Sequence, residues 1–529
     1  MPKVLVSDKL SEEGLKILRS GPGLEVDVKT ELKPEELEKI IPDYDALIIR
    51  SNTKVTAALL EKAKNLKIVG RAGIGVDNVD CVAASKHGII VENTPSGNAT
   101  TTAEQAVAMM FAVSRMIPQA TMSMKEGKWD KKSFVGRELT NKVLGVIGVG
   151  NIGKIVAERA LGLKMKVIGF DPFLTAEAAA QMGIELVSLD ELFRRSDYIT
   201  IHVPLTDKTR NLINKDSFAK MKKGVFLINC ARGGIVNEAD LLAALEEGKV
   251  GGAGLDVFEK EPPPADYALI KHPRVVCTPH LGASTDEAQL NVAIEVAEQI
   301  VNYFATGEVK NAVNFPSISG ELAKILKPYL LLTEKMGLLQ GQLAEGTPQQ
   351  ITIEYTGEIT KYPLAPMTVC VLKGLLQPML EDVSVNYVNS PVIAKERGIK
   401  VVEAKTQEAL DFASLVTVTL ETSAGKRIVS GTTFGKTHPR IVRIDDFYLE
   451  AVPAGTILVV RNQDRPGVIG NIGTLLGKNK VNISRMQLGL LRETGEALAL
   501  YNVDEHVPDE VLKELKALPN ILSVKEVKL

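Results

Sequence analysis

Residues 142–171, KVLGVIGVGNIGKIVAERALGLKMKVIGFD, decide the reading of this chain. KVLGVI is short and apolar, as a buried parallel strand is, and the NIGKIVAERALGL that follows has helical periodicity. Between them stands Gly148-Val149-Gly150-Asn151-Ile152-Gly153. A G-x-G-x-x-G pattern alone occurs in many turns, but a strand before it and a helix after it give each glycine a physical reason. The first permits the tight turn, the second lets backbone approach a pyrophosphate, and the third lets helix pack on strand. The phosphates then sit at the helix N-terminus. The next strand-like run, KVIGF, ends at Asp171, 18 residues beyond Gly153. An acid there hydrogen-bonds the adenosine ribose and repels a 2′-phosphate, so the stretch predicts a Rossmann-type unit for NAD rather than NADP.

The alternation extends outward on both sides. Upstream, VLVSD, LEVDV, ALIIR, KIVGRAG and GIIVENTP alternate with helical patterns at 12–19, 34–40 and 56–64, which predicts a second parallel sheet with crossover helices. An Ala/Met-rich stretch from Thr101 to Lys125 reads as one long helix. Downstream, YITIHVP, GVFLINCA, AGLDVFE and VVCTPHL complete the cofactor unit, and one helix is expected from Ser284 to Thr306, ending near Gly307. Beyond residue 315 the pattern becomes helices followed by adjacent strands, with a hairpin turn at Ser423 to Lys426, which predicts an α+β domain. The last 75 or so residues read strand, helix, strand, strand, helix, strand, the ferredoxin-like βαββαβ order.

Bulk properties narrow the function classes. At 529 residues the chain is too long for one core, so three or four domains are expected. It is 45% hydrophobic and 24% charged with a mean hydropathy of +0.06, an ordinary globular composition. Lys+Arg number 63 against 65 Asp+Glu, so no field gathers polyanions and nucleic acid is not expected as a partner. The start MPKVLVSDKL does not read as a signal peptide, and no apolar run approaches a membrane span. Cys81, Cys230, Cys277 and Cys370 are scattered, as reduced thiols are. Cytoplasmic residence is the expectation.

Oxidising an alcohol beside a carboxylate needs a base for the hydroxyl proton, a cation for the carboxylate or developing alkoxide, and a group that tunes the base. Arg232, Glu261 and His280 each follow a strand pattern, and ligands bind at the carboxyl ends of strands in open α/β sheets. A carboxylate beside a histidine raises its pKa by favouring imidazolium. Taken singly, Arg232 reads equally well as a surface charge, Glu261 as a solvated acid and His280 as a loop histidine. The remaining histidines show no i,i+4 pairing, so no metal site is expected.

Together, GVGNIG, NCARGGIVNE, GLDVFEKEP and TPHLGAST resemble the NAD domain of the D-2-hydroxyacid dehydrogenase family. The resemblance implies that Arg232 binds the substrate carboxylate and carbonyl, that His280 is the acid/base and that Glu261 holds His280. It implies cofactor contacts at Gly148, Gly150, Asn151, Ile152, Gly153, Asp171, Pro204, Thr209, Ala231, Asp256 and Gly282, with the His202 side chain structural. It also implies that the NAD domain, 99–281, is inserted in a flavodoxin-like substrate domain formed by 1–98 and 282–314, with the active site in the cleft between them.

LIIRSNTKV and VGRAGIGVDNVD are similar to the branch of that family acting on 3-phosphoglycerate in serine biosynthesis. Arg50, Arg71, Gly73, Gly75 and Val76 are then substrate-binding: two arginines can clamp a phosphate, and the glycine backbone can offer N–H donors. Ion pairing of the arginines with Asp77 or Asp80 is the alternative. NQDRPGVIGNIG and VNISRMQLG resemble the ACT regulatory domain, placed at 454–529 after an intervening domain at 315–453. Serine-sensitive relatives bind L-serine at positions that carry over to Asn462, Asp464 and Asn482, although Asn482 also suits a turn. A homo-oligomer, as a tetramer, is implied. Two other functions stay open at this point: a glyoxylate/hydroxypyruvate or D-lactate-type reductase, and an NAD-sensing co-repressor on the same fold.

Overall fold

The computed structural model describes the chain except residues 317, 319, 381–383, 409, 410 and 436. Four sheets organise it. The first is parallel and runs β2-β1-β3-β4-β5, with β1 Lys3–Val6, β2 Glu25–Val28, β3 Ala46–Ile49, β4 Ile68–Arg71 and β5 Ile90–Asn93. This is the flavodoxin-like order. Ala46 to Ile49 are all buried, and the helix Asp286–Thr306 closes one face through Val292, Ala293, Val296 and Ile300. Gly14 lies against Ala293 so closely that a Cβ would meet its carbonyl oxygen at 2.7 Å, which is why two helices share that face.

The second sheet holds β6 Val143–Ile147, β7 Lys166–Phe170, β8 Glu185–Leu186, β9 Tyr198–Ile201, β10 Val225–Asn229, β11 Val250–Leu255 and β12 Val275–Cys277. Its order, β12-β11-β10-β9-β6-β7-β8, reverses direction between β6 and β9, the switch point where a Rossmann sheet takes a dinucleotide. The expected single helix from Thr101 to Lys125 is two, Ala99–Arg115 and Ile117–Lys125. Pro118 cannot donate the i→i−4 bond and its ring crowds the carbonyl of Ser114. The chain breaks at Met116, φ 51, and Ser114 O instead accepts from Arg137 N–H at 2.9 Å.

The third sheet runs β14-β13-β15-β16-β17-β18 and comprises β13 Pro348–Gly357, β14 Lys400–Thr406, β15 Ser414–Thr422, β16 Gly425–Phe434, β17 His438–Ile444 and β18 Phe447–Ala451. The expected pattern of helices followed by strands is corrected here. β13 lies in sequence between the helices Gly320–Leu343 and Ala365–Leu376, burying Ile351, Ile353 and Tyr355 on alternate positions. The fourth sheet, β20-β21-β19-β22, is built from β19 Thr456–Gln463, β20 Ile483–Leu491, β21 Glu496–Val503 and β22 Ile521–Lys528, with helices Val468–Lys478 and Asp509–Ala517 on one face. Among the described residues no helix is long and apolar enough to cross a membrane.

Candidate active site

The loops leaving β10, β11 and β12 carry Arg232, Glu261 and His280 to one edge of the second sheet. His280 Nδ1 lies 2.8 Å from Glu261 Oε2, and the other carboxylate oxygen accepts the Phe258 N–H at 3.0 Å. Bonding to Glu261 raises the His280 pKa above its ordinary 6.5, against the downward pull of burial. Burial pulls Glu261 upward, but the bonds from His280 and Phe258 outweigh it and hold the carboxyl below 4.5. The pair is thus poised with Glu261 ionised and Nε2 of the ring free to exchange a proton.

His280 has φ 54, a left-handed backbone conformation costly for a residue with a side chain. Asp256 holds it there. Its carbonyl accepts His280 N–H at 2.9 Å, and its carboxylate accepts Thr278 Oγ1–H at 2.5 Å, Leu281 N–H at 2.7 Å and Gly282 N–H at 2.8 Å. The Asp256 side chain is fully buried, and its two oxygens order the loop that presents His280 and Gly282 to the cleft.

A cavity of about 520 Å³ lies between the first two sheets, lined by Arg71, Gly75 and Val76 on one side and by Asn151, Ile152, Pro204, Ala231, Arg232, His280 and Gly282 on the other. Arg71 is largely buried, its pKa pulled down to about 10 by desolvation and then by Arg232, and its Nε has no partner. A Cβ on Gly73 or Gly75 would fall 1.6 Å from an Nη of Arg71 or Arg232, so the guanidinium would have to swing away from its place in the cleft; Gly73 also has φ 139. The Gly73 N–H is occupied by Thr94 Oγ1 at 2.6 Å, so of the expected backbone donors only those nearer Gly75 and Val76 face the cleft. Asp77 pairs with Arg232, Nε to Oδ2 at 2.7 Å, rather than with Arg50 or Arg71. Arg50 does not line the cleft. Its Nη1 donates to Lys9 O at 3.3 Å and its backbone N–H to Asp8 at 2.6 Å.

The glycine loop fits a dinucleotide. Gly148 has φ 88 and abuts the His202 carbonyl; a Cβ on Gly153 would meet Gly148 O at 2.0 Å; a Cβ on Gly150 would meet nothing, leaving room where a pyrophosphate approaches. Gly150 also caps the helix Asn151–Gly162, whose N-terminus faces that room. Asp171 ends β7 and accepts Val149 N–H at 2.9 Å and Phe173 N–H at 2.8 Å. Thr209 supports the turn at Pro204 by donating to its carbonyl at 2.6 Å and is not itself a lining residue. His202 sits 2.9 Å from Thr200 Oγ1 and is kept neutral by burial, its pKa pushed down to about 4. Asn98, which sequence reasoning did not single out, lines the cleft where the chain passes into the second sheet's domain, with its Oδ1 buried and unpartnered. Among the described residues no group of three or more His, Cys, Asp or Glu is arranged to hold a metal.

The effector residues are not brought together. Asn462 and Asp464 lie at the end of the fourth sheet where Gln463 pairs with Glu496, whereas Asn482 precedes Ile483, which pairs with Val503 at the opposite end and so neighbours Thr456. Six residues of strand, about 20 Å, separate the two ends. Asn482 instead donates to Asp504 Oδ2 at 2.7 Å, and Asn462, nearly buried, to Gln463 O.

Residues 107–282 match the model of the D-isomer specific 2-hydroxyacid dehydrogenase NAD binding domain, 325–445 that of the D-3-phosphoglycerate dehydrogenase intervening domain, and 456–520 that of the ACT domain. D-3-phosphoglycerate dehydrogenases of Archaeoglobus fulgidus and Bacillus subtilis are 45% and 44% identical, each aligned over 100% of both chains. Among solved structures, a Paecilomyes thermophila glyoxylate reductase (30% identity, TM-score 0.55) covers 59% of this chain and 98% of its own. Aquifex aeolicus D-lactate dehydrogenase complexed with NAD and lactic acid (29%, TM-score 0.53) covers 60% of this chain and 100% of its own. Those enzymes cover about three fifths of this chain, and the full-length likeness, with all three domain models in order, decides the branch: the chain belongs to the D-3-phosphoglycerate dehydrogenase family of NAD-binding 2-hydroxyacid dehydrogenases.

Proposed function

We propose that this chain oxidises D-3-phosphoglycerate to 3-phosphohydroxypyruvate with NAD, the opening step of L-serine biosynthesis. The observation that carries the reading is one cleft in which His280, held by Glu261, and Arg232 line one wall and Arg71 lines the opposite one. Arg232 orients the substrate carboxylate and, with Arg71, stabilises the oxygen as it becomes a carbonyl. His280 Nε2 takes the hydroxyl proton as hydride leaves C2, and the imidazolium that results is balanced by Glu261. NAD, when bound, supplies the hydride acceptor. Gly148, Gly150, Asn151, Ile152 and Gly153 hold its pyrophosphate, Asp171 its adenosine ribose, and Pro204, Ala231 and Gly282 line its path. Gly75 and Val76 offer backbone donors to the substrate. Arg50 is kept as a proposed phosphate ligand on the family resemblance, its guanidinium bonding Lys9 O in this structure.

The domain assignment follows the sheets: 1–98 with 282–314 for substrate, 99–281 for NAD, 315–453 intervening and 454–529 regulatory. Six large apolar side chains exposed between residues 111 and 135, Phe111, Ile117, Met122, Met124, Trp129 and Val135, support a homo-oligomer, with a tetramer favoured. L-serine is proposed as effector. One serine cannot span the 20 Å or so between Asn482 and the Asn462/Asp464 end, so contact with all three requires two copies of the domain. The cytoplasm is the proposed location.

Replacing His280 by Ala tests the proton-transfer role. Turnover should fall by about 10²–10⁴-fold while NADH binding, followed by fluorescence, persists. Wild-type turnover in that variant would remove His280 from the mechanism.

A further inference from the structure

The loop carrying Glu261 has no regular structure of its own, yet Glu261 Oε2 must stay within hydrogen-bond reach of a histidine that comes from a different strand. What fixes the loop is a buried carboxylate outside the cleft. Glu238 is the first residue of the helix Glu238–Glu246 and is almost wholly buried. Its Oε1 accepts the Glu259 N–H at 2.6 Å, its Oε2 accepts the Tyr267 hydroxyl at 2.6 Å, and its own N–H donates to Glu259 Oε1 at 3.2 Å. The first and third of these bonds tie the start of the helix after β10, six residues beyond Arg232, to the turn that contains Glu261. The second anchors the far side of that turn at Tyr267. The two segments also touch without room to spare, since a Cβ on Gly233 would meet Phe258 O at 1.8 Å.

We infer that Glu238 is a positioning residue: it clamps the Arg232 loop to the Glu261 turn and thereby sets the distance between Glu261 and His280. The path is short. Glu238 fixes the Glu259 backbone; Phe258, the preceding residue, donates its N–H to Glu261 Oε1; and Glu261 Oε2 is left pointing at His280 Nδ1. Glu238 touches neither the cleft nor the pair itself. Its environment is acidic, with Glu259 and Glu261 nearby, and burial, followed by the repulsion of those two carboxylates, lifts its pKa, opposed by the Tyr267 and Glu259 bonds. A carboxylate kept in such surroundings is held by what it bonds, and all of its bonds go to the catalytic turns.

The inference rests on the reading of His280 and Glu261 as the proton-handling pair, and its test separates the two. The full-length enzyme is compared with Glu238→Asp, Glu238→Gln and Glu261→Gln. Glu238→Asp keeps the charge at the helix start but is one methylene too short to hold Glu259 N–H and Tyr267 together. Glu238→Gln keeps the reach and the acceptor for Glu259 while losing the charge. Expected for Glu238→Asp is a kcat loss of about tenfold to a hundredfold, the scale of a small misplacement of catalytic groups, with NADH affinity unchanged and the acid limb of the oxidation rate moved toward that of Glu261→Gln. Glu238→Gln should stay near wild type in both.

A shift in Glu238→Gln but not in Glu238→Asp would overturn the clamp, because charge acting through space would be the cause. A wild-type profile in both Glu238 variants, while Glu261→Gln moves it, would remove Glu238 and leave the pair intact. A profile unmoved even by Glu261→Gln would count against the pair and so against both. Should Glu238→Asp not fold, Tyr267→Phe removes one anchor of the same carboxylate; a wild-type pH profile there would equally refute the clamp.

Discussion

Glu92 lies on β5, where the chain is about to leave the first domain, and forms an isolated bridge with Ala312 on the returning segment. It is fully buried; Oε1 accepts Lys310 N–H at 2.7 Å and Oε2 has no partner. Desolvation raises its pKa from 4.5 to about 8, against the lowering effect of the Lys310 bond. A carboxyl with a raised folded pKa binds its proton more tightly in the native state, so its stability contribution is fully present below pH 4.5 and is lost as pH rises through 8. The interval of roughly 3.5 pH units, at about 1.4 kcal/mol each, gives a loss on the order of 5 kcal/mol across that window. Glu92→Gln keeps the acceptor for Lys310 and cannot ionise. The two proteins should melt at similar temperatures at pH 4.5 to 5, and at pH 9 the variant should melt higher by roughly 10 °C. A gap that does not widen with pH, or a variant that is less stable at pH 9, would refute this account of Glu92.

Glu261→Gln removes the group that raises the His280 pKa, so oxidation, which needs neutral imidazole, should persist to lower pH, while reduction, which needs imidazolium, should fail at lower pH than in the wild type; full pH–rate profiles in both directions check this. Asp171→Ala should weaken NAD and relax discrimination against NADP, measured as the ratio of kcat/KM for the two cofactors, since the carboxylate both accepts from the ribose and repels a 2′-phosphate. Gly153→Ala places a methyl group 2.0 Å from Gly148 O, so the helix must move off the loop; a stability loss of about 1–3 kcal/mol and failed NAD binding are expected by denaturant titration and calorimetry.

Much of the fold is legible because both α/β sheets are parallel and buried on two faces, so their strands appear as unbroken apolar runs such as GVFLIN. The places where the reading failed have local causes. Pro118 carried the helix break that the apolar run concealed. β13 was missed although Ile351, Ile353 and Tyr355 alternate, because it falls between two helices instead of joining the hairpins that follow. In the site, strand ends placed Arg232, Glu261 and His280 on one edge, but no spacing showed that Glu261 and His280 touch. The support that Asp256 gives to the left-handed His280 loop shows only in its burial and its bonds to Leu281 and Gly282. Asn98 and Glu238 left no sequence signal, since the importance of each comes from burial against groups far along the chain.

The central claim is a phosphorylated 2-hydroxy acid as substrate of a cleft walled by Arg71 and Arg232. It is tested most directly by kcat/KM for NADH oxidation with 3-phosphohydroxypyruvate, pyruvate, glyoxylate and 2-oxoglutarate on the full-length protein. The account predicts that 3-phosphohydroxypyruvate exceeds each of the others by at least about a hundredfold, since pyruvate and glyoxylate lack a second anionic group and 2-oxoglutarate offers a planar carboxylate in place of the phosphate. Equal or better turnover of pyruvate or glyoxylate would contradict it.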